Sequence, residues 1–333
     1  MLRDTLQTLL SCYGPSGSEH AVADKVRELL SGHVDSMKTD ALGNLIVEKF
    51  SADDNAKTIM IAAHMDHIGL VVTNIEKDGF LRVSAIGGIG PRLVSGRKVV
   101  FADGTPGVCA TQPNKKNPSA QPSLNDVFID IGAESQEEAE KLVAIGDVAV
   151  YAPDFTQLGR HKVASPAMDD RCACALLVEL LMYADNQKHN IVGVFTTQEE
   201  VGLRGATVAA FTVQPDIGLA LDVTGWGDTP ETDLPAVKLG AGPAVKIMDR
   251  SMIATPSVRE KLFEAADMAG VAVQREVLAY GGTDGGAIQL SRGGVPTGTL
   301  SIPCRYVHSA NEVIDMRDME GALKVLLQFV DLA

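Results

Sequence analysis

The feature that most constrains this chain is an alternation of strand-like and helix-like segments that stops and later resumes. Val22, Val26, Leu29 and Leu30 recur at the spacing of an amphipathic helix, and Ser18 is placed to cap it after the turn-rich Gly14-Pro15-Ser16-Gly17. Strands are expected over 44–50 and 58–63, and the second is continuously apolar, as in the middle of a sheet. From about residue 68 to 153 the pattern changes to short β-type runs at 70–73, 80–84, 97–101, 127–131 and 148–151, with one helix at 135–143 and a polar loop at 113–122. Alternation then returns: helix 171–183, strand 191–197, helix 205–211, strand 217–222, helix 257–268, strand 271–277, helix 286–291, strand 297–302 and helix 316–332. The expected fold is therefore α/β, a mixed sheet flanked by helices built from residues 1–66 and 165–333, with a small β-barrel-like domain, residues 67–164, inserted between the halves.

Composition narrows the function classes. Lys and Arg number 29 against 43 Asp and Glu, a formal charge of −14, which opposes binding to nucleic acid or to an anionic membrane surface. Aromatic residues are only 5%, too few for a base-stacking platform. The best apolar run, 173–184, is broken by Glu179 and is shorter than the ~18 residues a span needs. Met1-Leu2-Arg3-Asp4 lacks the layout of a signal peptide. Five scattered cysteines fit reduced thiols, so a cytoplasmic location is expected. Cys172 and Cys174 are only two apart and have no matching pair, which argues against a structural zinc site.

The chemistry-bearing residues fall where apolar strands end: His64-Met65-Asp66-His67, Asp169-Asp170, Glu199-Glu200, Asp222 and His308. Ligands of open α/β sheets bind beyond the carboxyl ends of strands, so these termini can converge on one crevice. Each has a plain alternative, such as an N-cap, a solvated turn or a hydrogen-bonded loop histidine. Adjacent acid pairs beside buried strands, however, need a cation or raised pKa values. Two His with three carboxylates form a mixed N/O set that suits Zn, Co or Mn, with a position left open for water. His64 and Asp66 share a face of extended chain, placing Asp66 to accept the second ring N–H of His64.

Six segments in order along nearly the whole chain resemble the M42 metallo-aminopeptidases, the group of tetrahedral, glutamyl and deblocking aminopeptidases. They are Ala63–Gly69, Met168–Arg171, Gln198–Gly205, Leu221–Thr224, Gly281–Asp284 and Val307–Glu312. The resemblance implies two divalent metal ions per subunit, Zn or Co, with Mn also compatible. His64 and Asp222 would hold one ion, Glu200 and His308 the other, and Asp169 would bridge. Glu199 would be the general base, with Asp66 beside His64 in the catalytic set. It also implies a cis bond at Asp169–Asp170, peptide substrates, and dimers made through the inserted domain that assemble into a tetrahedral dodecamer. His67 stands where many relatives carry an acid or a glutamine, either a further ligand or a loop histidine.

A rival reading keeps the metals but makes the chain an N-acyl-amino-acid deacylase or carboxypeptidase, with Arg92 or Arg97 binding the substrate carboxylate. For the aminopeptidase, Lys246, Arg250 and Arg275 lie near the glycine-rich segment 280–286 in sequence. One of them could select an acidic first residue, or all three could be surface cations.

Overall fold

The computed structural model describes all residues except 114–116, 118–119, 186–187 and 233–235, so part of the expected 113–122 loop lies outside the described residues. The large sheet runs, strand by strand, through Ser36–Thr39, Leu45–Lys49, Asn190–Thr196, Thr58–His64, Ile217–Thr224, Thr297–Arg305, Glu312–Asp315, Lys162–Ser165 and Thr156–Leu158. Ala244–Met248 and Gln274–Val277 extend it sideways from Thr297–Arg305. Its four central strands, Asn190–Thr196, Thr58–His64, Ile217–Thr224 and Thr297–Arg305, are parallel neighbours. In register, Thr196 pairs with His64, and Asp222 pairs with Ser301.

The continuous apolar sequence of the second strand has a direct cause. Ile59, Ile61 and Ala63 face a core built with helices Leu2–Leu10, His20–Leu30, Met168–Tyr183, Pro256–Ala269 and Met316–Leu332, while Met60 and Ala62 face a smaller core under Arg204–Val213 and Asp284–Gln289. Alternate residues of a strand point to opposite faces, so a strand covered on both sides must be apolar throughout.

Residues 69–151 contain a six-stranded closed barrel, ordered Gly69–Ile75, Leu81–Ile86, Val127–Asp130, Pro106–Thr111, Lys98–Val100 and Val148–Tyr151, with its own core around Leu81, Cys109 and Ile129. Closure leaves the barrel no free edges. The following hairpin, Thr156–Leu158 with Lys162–Ser165, pairs with Glu312–Asp315 of the large sheet and not with the barrel. Among the described residues no helix is long and apolar enough to cross a membrane.

Several local expectations are corrected. Glu19, not Ser18, is the N-cap of His20–Leu30, and no side chain caps that helix. Ser18 instead closes a turn through its backbone N–H to the Pro15 carbonyl, 2.8 Å. The expected 135–143 helix is a single turn, Gln136–Ala139. Lys246 is not a surface cation: it is 1% exposed and donates to Glu276 at 2.8 Å.

A candidate metal centre

Two groups of donors meet at the carboxyl ends of the four parallel strands: His64, Asp169, Asp170 and Asp222 in one, Asp169, Glu200 and His308 in the other. Asp169 belongs to both. Its Oδ1 lies 3.0 Å from His64 Nε2, and its Oδ2 lies 3.3 Å from His308 Nε2. Glu200 Oε2 is 3.1 Å from His308 Nε2, and Asp222 Oδ1 is 3.9 Å from His64 Nε2. The five residues expected as ligands thus stand together, and Asp170, a chemistry-bearing residue outside the ligand set that the resemblance implies, stands with the first group. The Asp169–Asp170 peptide is cis. His67 is in neither group. It is buried, its Nδ1 meets the Ile68 carbonyl at 2.9 Å, and burial aided by Arg171 pushes its pKa down to about 3.

Both imidazoles are oriented by the chain itself. His64 Nδ1 lies 3.0 Å from the Asp66 main-chain oxygen, and His308 Nδ1 lies 2.9 Å from the Gly88 carbonyl. An Nδ1–H donated to a carbonyl leaves the Nε2 lone pair facing the cluster, the tautomer a metal needs. The Asp66 carboxylate is further from His64 Nδ1, at 3.5 Å. Its oxygens instead accept the backbone N–H of Glu199 (2.9 Å) and of Glu200 (3.2 Å), and the Ser16 hydroxyl (2.6 Å). Asp66 therefore fixes the turn carrying both glutamates. Glu19 Oε1 holds the same turn one residue earlier, accepting the Gln198 N–H at 3.1 Å.

Other supporting residues carried no role in the sequence reading. The Glu312 carboxylate accepts the backbone N–H of His308 at 2.6 Å and of Asp169 at 3.0 Å, tying together two ligands that are far apart in sequence. It thereby holds His308 at φ 62°, a region unusual for a non-glycine residue. Arg171, fully buried, donates to the carbonyls of Leu9, Met65 and Cys12, and so braces the His64–His67 segment from below. Thr196 donates to Asp284 at 2.5 Å, pinning the strand end just before Glu199. The signal available for Glu312, Arg171 and Asp284 was their place inside the resembling segments. At Gly88 the barrel comes so close that an added Cβ would lie 2.8 Å from His308 Nδ1.

The electrostatics are those of a site short of positive charge. Burial drives Asp170, Glu199 and Asp222 well above the usual carboxylate range, and repulsion from neighbouring acids adds to it. Burial likewise pushes Glu312 up to about 8, with Asp169 contributing. Asp169 is the exception: burial opposes its charge, but His308 and His64 hold it well below the usual range. Burial also works against a charge on His308, yet Asp169 and Glu200 push its pKa up to about 12. Asp170 Oδ2 and Glu200 Oε1 are buried without a hydrogen-bond partner among the described residues. Four carboxylates around two imidazoles, with buried carboxylate oxygens that have no hydrogen-bond partner among the described residues, fit divalent cations of the Zn, Co or Mn kind. Glu199 belongs to neither donor group, though its Oε2 lies 4.0 Å from His64 Nε2 and it lines the same cavity.

A mixed sheet with a barrel inserted beside a His/Asp/Glu donor cluster is an α/β scaffold with a candidate metal centre at its strand ends, and its relatives are peptidases. The chain belongs to the M42 family: residues 43–325 match the M42 glutamyl aminopeptidase family. It is 44% identical over 327 residues to a putative aminopeptidase of Acetivibrio thermocellus, covering 98% of each chain. It is 35% identical to a lysyl aminopeptidase of Pyrococcus furiosus, covering 97% of this chain and 94% of that one. Among solved structures, an aminopeptidase from the archaeon Desulfurococcus kamchatkensis superposes with a TM-score of 0.96 at 38% identity, covering 100% of this chain and 95% of that one. The TET1 peptidase of Pyrococcus horikoshii, described as assembling into a tetrahedron or a large octahedral shell, gives 0.88 at 33% identity, with 99% of each chain covered.

Proposed function

We propose that this chain is a two-metal aminopeptidase that releases the first residue of peptides, with Glu199 as general base. The observation that carries the reading is the placement of Asp169, one carboxylate oxygen toward each of two imidazoles whose Nε2 atoms face inward. His64 and Asp222 would hold one ion, His308 and Glu200 the other, and Asp169 both. Bound there, two divalent cations would polarise a scissile carbonyl and lower the pKa of an attacking water.

The rest of the chemistry belongs to the protein. Both glutamates sit on one turn, but only the Glu200 carboxylate reaches His308 Nε2, at 3.1 Å, so Glu200 can ligate while Glu199 stays free. Glu199 takes the proton of the attacking water on its carboxylate and passes it to the leaving amine. Asp66 acts through others, by holding the N–H groups of Glu199 and Glu200. The free amine of the substrate meets an acid-rich wall, which restricts cleavage to the first residue. The deacylase or carboxypeptidase alternative asks for a cation to meet a substrate carboxylate, and no Lys or Arg lines the cavity among the described residues. Arg97 instead donates to the Leu93 carbonyl and Arg92 to Gln121.

Residues 67–164 we read as a roof and a contact surface for dimers, which then build a dodecamer. The approach of Gly88 to His308 supports the first role, and the shells described for the Pyrococcus horikoshii relative support the second. Free thiols at all five cysteines agree with a reducing, cytoplasmic setting. Assaying aminoacyl-anilides after chelation, and again after restoring Zn, Co or Mn, tests the activity. Cleavage should vanish and return, and cleavage that survives complete metal removal would sink the mechanism.

A further inference from the structure

The cavity over the donor cluster has a volume of about 650 Å³, and away from the donors its wall is apolar: Leu203, Val223, Trp226, Leu278, Tyr280 and Val307. Behind Thr224 in that wall lies the buried Lys246. Its Nζ donates to Glu276 Oε1 at 2.8 Å and lies 3.7 Å from Asp249 Oδ2, while the Thr224 hydroxyl donates to the same Glu276 oxygen at 2.5 Å. Burial opposes the charge on Lys246, but Glu276 outweighs it and the amine stays above the ordinary lysine value. One ammonium between two carboxylates leaves this group with a net negative charge. The other two cations near the glycine-rich segment are also unavailable: Arg275 stacks over the Phe263 ring at 4.2 Å, and Arg250 does not line the cavity.

We propose that the pocket selects an uncharged, apolar first residue, and that Lys246 is a masked cation which Glu276 withholds from it. The inference rests on the aminopeptidase reading above. An acidic side chain entering this wall finds no counter-charge and meets the negative Lys246–Glu276–Asp249 group, which is the worst case. A basic side chain loses water without gaining a partner in the apolar wall, but the same group attracts it weakly. An apolar side chain loses nothing.

The test is kcat/KM of the full chain, loaded with Co, toward leucyl-, phenylalanyl-, lysyl- and glutamyl-anilides. Leucyl or phenylalanyl should rank first, lysyl next, and glutamyl last by about 100-fold or more, the scale of an unpaired buried charge. Glu276→Gln should raise the glutamyl-to-lysyl ratio by about tenfold, since one negative charge behind the wall is gone. Leu278→Arg, which puts a cation in the wall without touching the buried group, should raise glutamyl relative to leucyl cleavage. A glutamyl or lysyl anilide ranking first, or ratios unmoved in both variants, would overturn the inference. No cleavage of any of the four would overturn the aminopeptidase reading itself, a result distinct from a charged preference.

Discussion

Asp169 and Asp315 are both buried carboxylates gripped by two basic side chains, and they lie at either end of the Glu312–Asp315 strand's surroundings. Asp315 Oδ2 takes Arg317 at 2.8 Å and Lys162 at 3.1 Å, and its Oδ1 takes Arg317 again at 3.0 Å. Its partners are permanent cations, and the group is electrically complete. Asp169 instead has two imidazoles, and Asp170, Glu200 and Asp222 crowd the same donor groups. Imidazoles serve as cations or as neutral ligands, and here both ring Nδ1 atoms are already committed to carbonyls. Where the chain supplies its own counter-charge the carboxylate is structural. Where acids outnumber the basic groups, as in these donor groups, the site has room for a charge supplied from outside.

The first way to break this contrast is at Glu199, an acid that lines the cavity but belongs to neither donor group. Glu199→Gln keeps shape and polarity but cannot accept a proton, so kcat should fall about 10²–10⁴-fold. KM and metal content should hardly change, because the group acts mainly in the transition state. Glu200→Gln should weaken one metal site and recover part of its turnover in excess metal. Rescue of Glu199→Gln by metal, with none for Glu200→Gln, would exchange the two roles.

A smaller effect is expected behind the ligands. Glu312→Gln keeps one acceptor oxygen, but its amide NH2 then faces the other backbone N–H, so it cannot hold both His308 and Asp169. Metal affinity should drop about 10–100-fold, as for other residues that orient ligands. Titration with a competing chelator reads this, and unchanged affinity would show that the strand alone holds His308.

The self-compensated region provides the smallest effect and a pH signature. Burial resists the charge on Asp315, but Arg317 and Lys162 pull its pKa from the usual 3.8 to about 2. A carboxyl depressed in the folded state adds stability above its unfolded pKa and loses it as pH falls through the folded one. Asp315→Asn should therefore cost about 2 kcal/mol at pH 7. The gap to the unsubstituted protein should close between pH 4 and pH 2. Thermal unfolding of both proteins across that range checks it, and a gap that persists unchanged at pH 2 would mean packing, not charge, is responsible.

Much of this contrast was readable in the sequence. The spots His64–His67, Asp169–Asp170, Glu199–Glu200, Asp222 and His308 stood out because each follows an apolar run, and the resemblance to the M42 family then singled out the five ligands among them. The break in strand–helix alternation marked the barrel. What stayed hidden has a common physical cause: it depends on which backbone groups meet across long sequence separations. Asp66 looked like a partner for the His64 ring, but its carboxylate serves the Glu199 and Glu200 amides. Glu312 sits in a short strand whose four residues have no periodicity to read, and the hairpin 156–165 is too polar at 156–158 to announce a strand. Lys246 read as a surface cation because nothing local reveals that Glu276, 30 residues later, lies on the adjacent strand.

The central claim is that Asp169 is shared by two ions, and metal analysis after gel filtration tests it most directly. The unsubstituted protein should carry two divalent ions per chain. Asp169→Asn should lose most of both, whereas His64→Ala and His308→Ala should each lose mainly one. Two ions retained in Asp169→Asn, or a single ion in the unsubstituted protein at saturating metal, would contradict it.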